Sequence, residues 1–335
     1  MKAIKYILIV AIMPLTIIGR AQTLQQMDNK TNPLLCDPEQ GFCAIPDTGN
    51  NILPGSQIAK SEKSVKIIYF TDPICSSCWG IEPQLRKLKL AYGHAIDIEY
   101  RMGGLLPDWS YNSGGISKPS DVAHHWDEVS VYYDMPIDGA VWLEDPLSSS
   151  YPPSIAFKAA QMQDAGKALF FLRELREMVF LQKKNIAKWE HIEAAALKSG
   201  LDTETLKIDI AGKGKELFEA DLALARDMGV RGFPTMFLIN NAGNKEMIYG
   251  TKPYTQYEAA LVKLDAASVP EAYGKSWKDL FAKYASLTAK EFSELSGKPR
   301  ADSEQELNQL SDKGLLQKYT TKNGSLWTRI NNTNQ

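Results

Sequence analysis

The sequence predicts an α/β fold in which one sheet is assembled from two separated parts of the chain, followed by a small C-terminal module. Short apolar, partly β-branched runs at 66–70 and 96–100 predict the first strands. Runs at 235–240 and 245–249, joined by a turn, predict a hairpin that completes the sheet. Between these two parts the apolar spacing is mostly helical, so we expect a helical insertion.

The predicted helices follow from apolar residues that recur at helical spacing. One helix is expected directly after the first strand, at 81–91, and another after the hairpin, at 254–264. The insertion, from about 105 to 228, contains five further predicted helices, at 121–133, 154–163, 168–181, 187–198 and 216–228.

The composition changes after Pro270, which predicts a separate module over 271–330. A Lys-Asn-Gly turn at 322–324 is a hairpin signal. Three short helices and a β-hairpin would make this module winged-helix-like, with helices at 277–284, 288–295 and 302–312 and strands at 316–320 and 325–330.

Residues 1–21 have the pattern of a secretory signal peptide. A basic start precedes an apolar run at 6–18, and small residues surround a candidate cleavage site after Ala21. A buried N-terminal helix is the alternative, but Pro14 and the polar sequence that follows disfavour it. We expect a periplasmic or secreted mature protein, without stable membrane insertion, in a compartment where disulfides persist.

The composition is that of an ordinary globular protein. The chain is 44% hydrophobic and 23% charged, with a formal net charge of −2. This balance argues against extensive binding to nucleic acids or membrane surfaces. No apolar stretch reaches the roughly 18 residues that a spanning helix needs.

Residues 22–60 are rich in Asn, Asp, Pro and Gly, which predicts an extended leader that contains Cys36 and Cys43. Cysteines in even number in exported chains usually pair, so a structural disulfide between these two is favoured. A redox relay with Cys75 is the alternative interpretation, and both remain open at this point.

The motif Cys75-Ser-Ser-Cys78 follows the first strand and precedes the first helix. The N–H groups and dipole of a helix start favour the thiolate, which is the form that attacks disulfides. Redox chemistry is therefore favoured over half of a structural metal site or two inert thiols. Asp72 could move protons to Cys78, but a turn residue ahead of Pro73 is the favoured interpretation.

The predicted hairpin at 235–249 is preceded by the motif Gly232-Phe233-Pro234-Thr235. Together with the two-cysteine motif, this proline predicts a cis peptide bond between Phe233 and Pro234. The backbone of Phe233 would then be free to pair with an extended substrate segment. We expect Phe233, Pro234 and Thr235 to form a substrate-binding loop.

These motifs resemble the DsbA family of the thioredoxin superfamily, and more closely its FrnE-like branch and the related SpxH adaptor family. The resemblance covers roughly residues 60 to 268 and is carried by Asp72–Pro83, Tyr100–Gly104, Ser150–Ala156 and Gly229–Thr235. It implies a thioredoxin fold over 61–268. It also implies redox catalysis in which Cys75 is the exposed nucleophile and Cys78 resolves the mixed disulfide, with no dissociable cofactor and no metal.

The sequence departs from the DsbA pattern in two places. The dipeptide between the cysteines is Ser-Ser instead of Pro-His, and Tyr69 occupies a position where relatives often carry a buried carboxylate. Both departures predict a weaker oxidant than DsbA. The secretory signal departs from the adaptor relatives, which work in the cytosol.

The sequence therefore predicts an exported thiol–disulfide oxidoreductase that acts on cysteine-containing proteins and has a redox partner protein. A homodimer is left open as the state of assembly. A glutathione-dependent isomerase or transferase is one alternative, although such relatives typically lack the second cysteine. A non-catalytic adaptor that uses the same groove is the other. His124 and His125 are interpreted as packed or surface residues. The acidic helix at 302–312 is interpreted as a packing or dimerisation element without a nucleic-acid partner.

Overall fold

The computed structural model describes residues 36–37, 42–44, 62–110 and 118–330. The predicted signal peptide and most of the leader lie outside these residues. Among the described residues, no helix has the length and apolar character needed to cross a membrane.

The chain alternates between strands and helices, with most helices between the two halves of the sheet. The strands are β1 (Cys36–Asp37), β2 (Phe42–Ala44), β3 (Val65–Thr71), β4 (Ile96–Met102), β5 (Gly232–Phe233), β6 (Thr235–Asn240), β7 (Lys245–Tyr249), β8 (Ser286–Thr288), β9 (Leu316–Thr321) and β10 (Gly324–Arg329). The helices are α1 (Ser76–Gly80), α2 (Glu82–Tyr92), α3 (Pro119–Tyr133), α4 (Val141–Glu144), α5 (Tyr151–Gln163), α6 (Ala165–Leu181), α7 (Trp189–Lys198), α8 (Thr203–Ala211), α9 (Lys213–Asp227), α10 (Tyr254–Leu264), α11 (Trp277–Lys283), α12 (Ala289–Ser296) and α13 (Arg300–Asp312).

The central sheet has four strands in the order β4-β3-β6-β7, which confirms the predicted thioredoxin-like α/β fold. Strand β3 runs parallel to β4 and antiparallel to β6, so that Tyr69 lies between Tyr100 and Met236. All residues of β3 except Lys66 are buried. This is the nearly continuous apolar pattern of a strand covered on both faces.

The insertion between β4 and β5 forms helices α3 to α9, and the five predicted helices are confirmed with small shifts at their ends. The single turn α4 and the helix α8 were not predicted. In α8 the apolar residues Leu206, Ile208 and Ile210 alternate as they would in a strand. Leu206 is buried and Ile210, one helical turn later, packs partly buried against the core, while Ile208 is 73% exposed. Asp202 starts this helix by accepting a hydrogen bond from the Thr205 N–H at 2.6 Å.

Aromatic side chains fix the insertion against α1, the helix that carries Cys78. Trp79 of α1 stacks on Phe180 of α6 with 5.5 Å between ring centroids, and Trp126 of α3 contacts the same ring at 4.8 Å. All three rings are buried. Such pairs contribute about 0.5–1.5 kcal/mol each beyond the area that they bury. The insertion is therefore packed directly against the helix that carries Cys78.

The C-terminal module contains the three predicted helices, α11 to α13, and the predicted hairpin of β9 and β10. A further strand, β8, extends the hairpin to a sheet of order β8-β10-β9. The module packs on α2, where the Arg86 guanidinium donates to the Ser286 carbonyl at 2.8 Å. Its winged-helix-like character and the domain boundaries stay predictions.

Candidate thiol–disulfide site

Cys75 and Cys78 are joined by a disulfide at the start of α1. The Cys75 N–H donates to the Asp72 carbonyl at 3.2 Å, which closes a turn directly before the helix. Cys75 is the N-cap residue, and its Sγ accepts a hydrogen bond from the Cys78 N–H at 3.1 Å. A donor aimed at this sulfur stabilises the thiolate more than the thiol. The arrangement is suited to releasing Cys75 as a thiolate when the disulfide is reduced.

The Asp72 side chain holds three segments around this turn. One carboxylate oxygen accepts from the Ile74 N–H at 3.0 Å, and the other accepts from the Leu105 N–H at 2.8 Å and the Ser150 hydroxyl at 2.9 Å. The residue is fully buried. Burial raises the pKa of Asp72 to about 6, although these hydrogen bonds and Arg176 act in the opposite direction. These contacts agree with the predicted role of Asp72 as a turn residue ahead of Pro73.

Tyr69 lies on the strand that leads into the turn, where DsbA-like relatives often carry a carboxylate. Its buried phenol accepts a hydrogen bond from the Thr71 hydroxyl at 3.2 Å. Burial raises the pKa of Tyr69, so the phenol is neutral at physiological pH. The Thr71 hydroxyl in turn accepts from the Arg176 guanidinium at 2.6 Å. The end of β3 below the cysteine pair therefore carries the neutral hydroxyl groups of Tyr69 and Thr71. The Arg176 guanidinium, which comes from α6, contacts this end of the strand.

The predicted cis peptide bond between Phe233 and Pro234 is present. Thr235 turns the chain into β6, and its hydroxyl donates to the Gly232 carbonyl at 2.7 Å. The Phe233 ring is buried against Gly103, where an added Cβ would lie only 1.7 Å from ring atom Cζ. Only a glycine at this position leaves room for the ring. The end of β4 and the proline loop therefore fit together at this point.

The backbone of Phe233 is not open to an external segment in this structure, because strand β2 of the leader already pairs with β5. The pairing is antiparallel and places Cys43 opposite Phe233 and Ala44 opposite Gly232. This pairing was not predicted from the sequence. It uses the same strand edge that we assigned to an extended substrate.

The pairing brings a third cysteine to the site. The Cys43 sulfur lies 3.4 Å from the Cys75 sulfur and 3.5 Å from the Ser77 hydroxyl oxygen. Cys43, Cys75 and Cys78 are all fully buried. Cys75 is therefore buried, contrary to the prediction that it would be the exposed nucleophile. The cause is the leader strand that covers it.

Ser77, the second residue between the two motif cysteines, connects Cys43 to further hydroxyl groups. Its oxygen lies 2.9 Å from the Tyr133 hydroxyl, and Thr251 donates to that same phenol at 3.4 Å. Sequence reasoning missed Tyr133 and Thr251, since they come from α3 and from the loop after β7 and share no local motif. A Cβ added at Gly80 would lie 2.6 Å from the Tyr133 ring, so the phenol is held closely against α1.

Cys36 lies directly opposite Cys43 in the antiparallel pair of β1 and β2. Opposed residues in such pairs have Cα atoms roughly 4.5–5.5 Å apart, which is within the range that a disulfide spans. The Cys36 side chain lies outside the described part of the structure. Cys43 is disulfide-bonded in the structure. That its partner is Cys36 stays a prediction, supported by this register.

The two helical histidines occupy different environments on α3. His124 lies at the surface, where its Nε2 is 3.1 Å from a Glu128 carboxylate oxygen. His125 is buried, with 9% of its surface exposed. Both positions agree with the predicted surface or packed roles.

Comparison with known proteins identifies relatives over most of the chain and solved structures with a similar fold. A family model described as Thioredoxin matches residues 69–259. The protein named ClpXP adapter protein SpxH from Halalkalibacterium halodurans is 32% identical over 306 residues, covering 90% of this chain and 97% of the relative. The protein of the same name from Bacillus subtilis is 28% identical over 275 residues, covering 80% and 90%.

A solved structure from Nitrosomonas europaea, whose name proposes a protein disulfide isomerase, has a similar fold. It superposes with a TM-score of 0.51 at 18% identity, covering 60% of this chain and 96% of that structure. This similarity supports the fold of the domain that carries the cysteine pair.

Proposed function

We propose that this chain, which belongs to the thioredoxin superfamily as a DsbA-like protein related to SpxH, is a thiol–disulfide oxidoreductase that acts on protein cysteines. The observation that carries the proposal is the Cys75–Cys78 disulfide at a helix start, with the Cys78 N–H directed at the Cys75 sulfur. Inert core cysteines have no need for this position. The substrate class is a protein that carries one or more cysteines.

The exchange conserves atoms and electrons as follows. A substrate thiolate attacks Cys75 Sγ, the bond between the two motif sulfurs breaks, and its electron pair leaves on Cys78. A second substrate thiolate then attacks the substrate sulfur of the mixed disulfide and releases Cys75 as a thiolate. The substrate loses two electrons to the pair, and a redox partner protein restores the starting state. The opposite sequence reduces a substrate disulfide.

Thiol exchange with a model peptide tests this proposal. The oxidised protein should oxidise a peptide with two cysteines, and the reduced protein should reduce the corresponding disulfide, both followed by mass spectrometry. Cys75→Ser should lower both rates to the uncatalysed background. Cys78→Ser should instead accumulate a mixed disulfide with the peptide. Exchange by Cys75→Ser at the wild-type rate would refute the proposal.

A second candidate function is a binding adaptor, which is favoured by the name ClpXP adapter protein carried by the relatives. Cys75→Ser separates the two, because a pure adaptor keeps its partner affinity and has no turnover to lose. The glutathione-dependent alternative is separated by Cys78→Ser. An enzyme that uses glutathione as the second thiol should retain turnover in this variant when glutathione is supplied.

We also propose that the protein is exported, to the periplasm or the medium. The support is the basic start, the apolar run at 6–18 and the candidate cleavage site after Ala21. N-terminal sequencing of the protein expressed in its own host should give a mature chain that starts at Gln22. Val10→Asp places a charge in the apolar run and should retain the precursor inside the cell. An intact Met1 in the wild-type protein would contradict export by this signal.

A further inference from the structure

The leader presents Cys43 to Cys75 in the way that a substrate cysteine would be presented. Strand β2 adds to the edge of β5 and aligns Cys43 with Phe233. The sulfurs of Cys43 and Cys75 are 3.4 Å apart, which is direct contact. Both residues are fully buried while β2 is paired with β5, so an external thiol can reach Cys75 only after this pairing is released.

We propose that Cys36 and Cys43 form a second redox-active pair, and that Cys43 is the first exchange partner of Cys75. This inference rests on the proposed oxidoreductase function and gives its site an internal substrate. A purely structural disulfide in the leader would stabilise the chain wherever it lay. The contact of one of its sulfurs with Cys75, at a strand edge suited to substrates, is the arrangement that exchange between the pairs requires.

The internal step requires no external reagent. In the molecule with an oxidised Cys75–Cys78 pair and a reduced leader pair, the Cys43 thiolate attacks Cys75 Sγ, and the electron pair of the broken bond leaves on Cys78. The Cys36 thiolate then attacks Cys43 Sγ and releases Cys75 as a thiolate. Two electrons and two protons pass from the leader pair to the motif pair. The reverse sequence returns them.

Hydroxyl groups can stabilise the thiolate that this step needs at Cys43. Ser77 lies 3.5 Å from the Cys43 sulfur, Tyr133 lies 2.9 Å from Ser77, and Thr251 donates to Tyr133. When Cys43 is ionised, Ser77 can donate to the sulfur while Tyr133 donates to Ser77. The Cys78 N–H serves Cys75 in the same way at 3.1 Å. Each of the two contacting sulfurs therefore has its own donor, as a buried anion requires.

The register of the leader assigns the resolving role to Cys36. It lies opposite Cys43 across the β1–β2 pair, so it can attack the Cys43 sulfur once that sulfur is bound to Cys75. Cys36 is not placed opposite any residue of β5. The two leader cysteines thus have distinct roles, and the test below depends on this difference.

Cross-linking of two-cysteine variants of the full mature chain tests the inference. The variant Cys36→Ser with Cys78→Ser keeps only Cys43 and Cys75. Oxidation with oxidised glutathione at high dilution, followed by non-reducing peptide mapping, should give an intramolecular Cys43–Cys75 disulfide. The matched control, Cys43→Ser with Cys78→Ser, keeps Cys36 and Cys75 and should cross-link at least tenfold more slowly. Equal rates, or intermolecular dimers in the first variant, would overturn the inference.

The wild-type chain provides a second measurement that does not depend on how the variants fold. A two-electron reduction should leave one disulfide per molecule. After acid quenching, peptide mapping should find this disulfide at Cys75–Cys78 in some molecules and at Cys36–Cys43 in the others. The exchange between these isomers should be independent of protein concentration. A disulfide that stays fixed at one pair would contradict the relay.

The two proposals fail in different ways. If the wild-type protein exchanges with external peptides but Cys43 and Cys75 do not cross-link, the oxidoreductase function stands and the relay is wrong. If the cross-link forms but external peptides do not exchange, the internal contact stands and the function toward protein substrates is wrong. In the peptide exchange assay, Cys43→Ser should lower turnover at least tenfold. Unchanged or faster turnover in this variant would show that the leader only covers the site.

Discussion

Arg173 of α6 forms a two-point ion pair with Glu291 of α12, with nitrogen–oxygen distances of 2.8 and 3.1 Å. Glu291 is fully buried and also accepts from the Thr288 N–H at the start of its own helix. Arg86 of α2 approaches the same carboxylate at 3.3 Å. One carboxylate therefore joins the C-terminal module to both the helical insertion and the thioredoxin-like domain.

Glu291→Gln should destabilise the protein, because it leaves buried guanidinium charge without its main partner. Breaking a buried ion pair on one side typically costs about 3–5 kcal/mol of unfolding free energy, and we expect a loss near the lower end because Gln keeps an acceptor for Thr288. Chemical denaturation at pH 7 measures it. Glu294→Gln is the matched control, since its pair with Lys87 is partly exposed, and it should cost about 1 kcal/mol or less. Equal losses would contradict a special role for Glu291.

The stability loss caused by Glu291→Gln should depend on pH. Burial raises the pKa of Glu291, but the Arg173 and Arg86 guanidinium groups outweigh it and hold the pKa below the ordinary value of 4.5. Ionised Glu291 therefore contributes stability above that ordinary value, and the contribution is lost as the pH falls through the lowered pKa. The difference between wild type and Glu291→Gln should be largest at neutral pH and should shrink in acid.

Asp72→Asn should show a pH dependence of the opposite sign. The folded-state pKa of Asp72 is about 6, above the ordinary 3.8, so between these values the folded protein holds a proton that the unfolded chain has lost. Wild-type stability from this group therefore falls as the pH rises through that window. Relative to wild type, Asp72→Asn should gain about 2 kcal/mol between pH 4 and pH 7.

Asp108→Asn is a suitable control for this measurement. The Ser110 hydroxyl and N–H lower the pKa of Asp108, which is exposed, so its contribution is lost only below the ordinary value of 3.8 and its removal should leave the difference nearly constant between pH 4 and pH 7. Unfolding free energies of the variants and the wild type at several pH values between 4 and 7 decide the matter. A constant difference for Asp72→Asn would contradict the raised pKa.

Gly103→Ala should disturb the proline loop. The new Cβ would meet the Phe233 ring at 1.7 Å, so the ring and with it β5 must move. Overpacking of this kind typically costs about 1–3 kcal/mol. We also expect slower formation of the Cys43–Cys75 cross-link, because Cys43 is aligned by Phe233. Gly166→Ala is the control, since its Cβ would meet only an Asp164 carboxylate oxygen at 3.2 Å, and it should be close to neutral.

The Cys75–Cys78 pair should have an intermediate reduction potential, between about −120 mV and −270 mV. A strong oxidant needs its reduced thiolate stabilised by more than a backbone N–H and neutral hydroxyl groups. Ser76 and Ser77 supply no cation between the cysteines. Equilibration in defined glutathione buffers measures the potential, and a value at or above −120 mV would contradict this account. Buried His125 would then be the first residue to substitute.

The sequence was sufficient for the features that depend on local pattern. The continuous apolar run of β3, the helix start at Cys75 and the proline before Thr235 each occupy a few neighbouring residues, and each is present as predicted. Helix α8 was not predicted because its apolar residues alternate along the sequence, and only Leu206 and Ile210, one helical turn apart, pack toward the core.

The contacts that define the site's surroundings could not be predicted in this way. Cys43 and Phe233 are far apart in the chain, and β2 and β5 are too short to carry a recognisable pattern. The burial of Cys75 follows from that pairing, so it was missed as well. Tyr133 and Arg173 reach their partners through the packing of the insertion, which periodicity alone does not determine.

The pairing of β2 with β5 also determines how strongly an external protein must bind in order to reach the β5 edge. Because the leader is covalently attached, it competes for the β5 edge at an effective concentration on the order of millimolar. An external segment with the same intrinsic affinity would need a similar concentration to occupy the edge half of the time. A substrate that succeeds at cellular concentrations must therefore make additional contacts elsewhere on the surface, and this requirement would make the protein selective among the many cysteine-containing chains it meets.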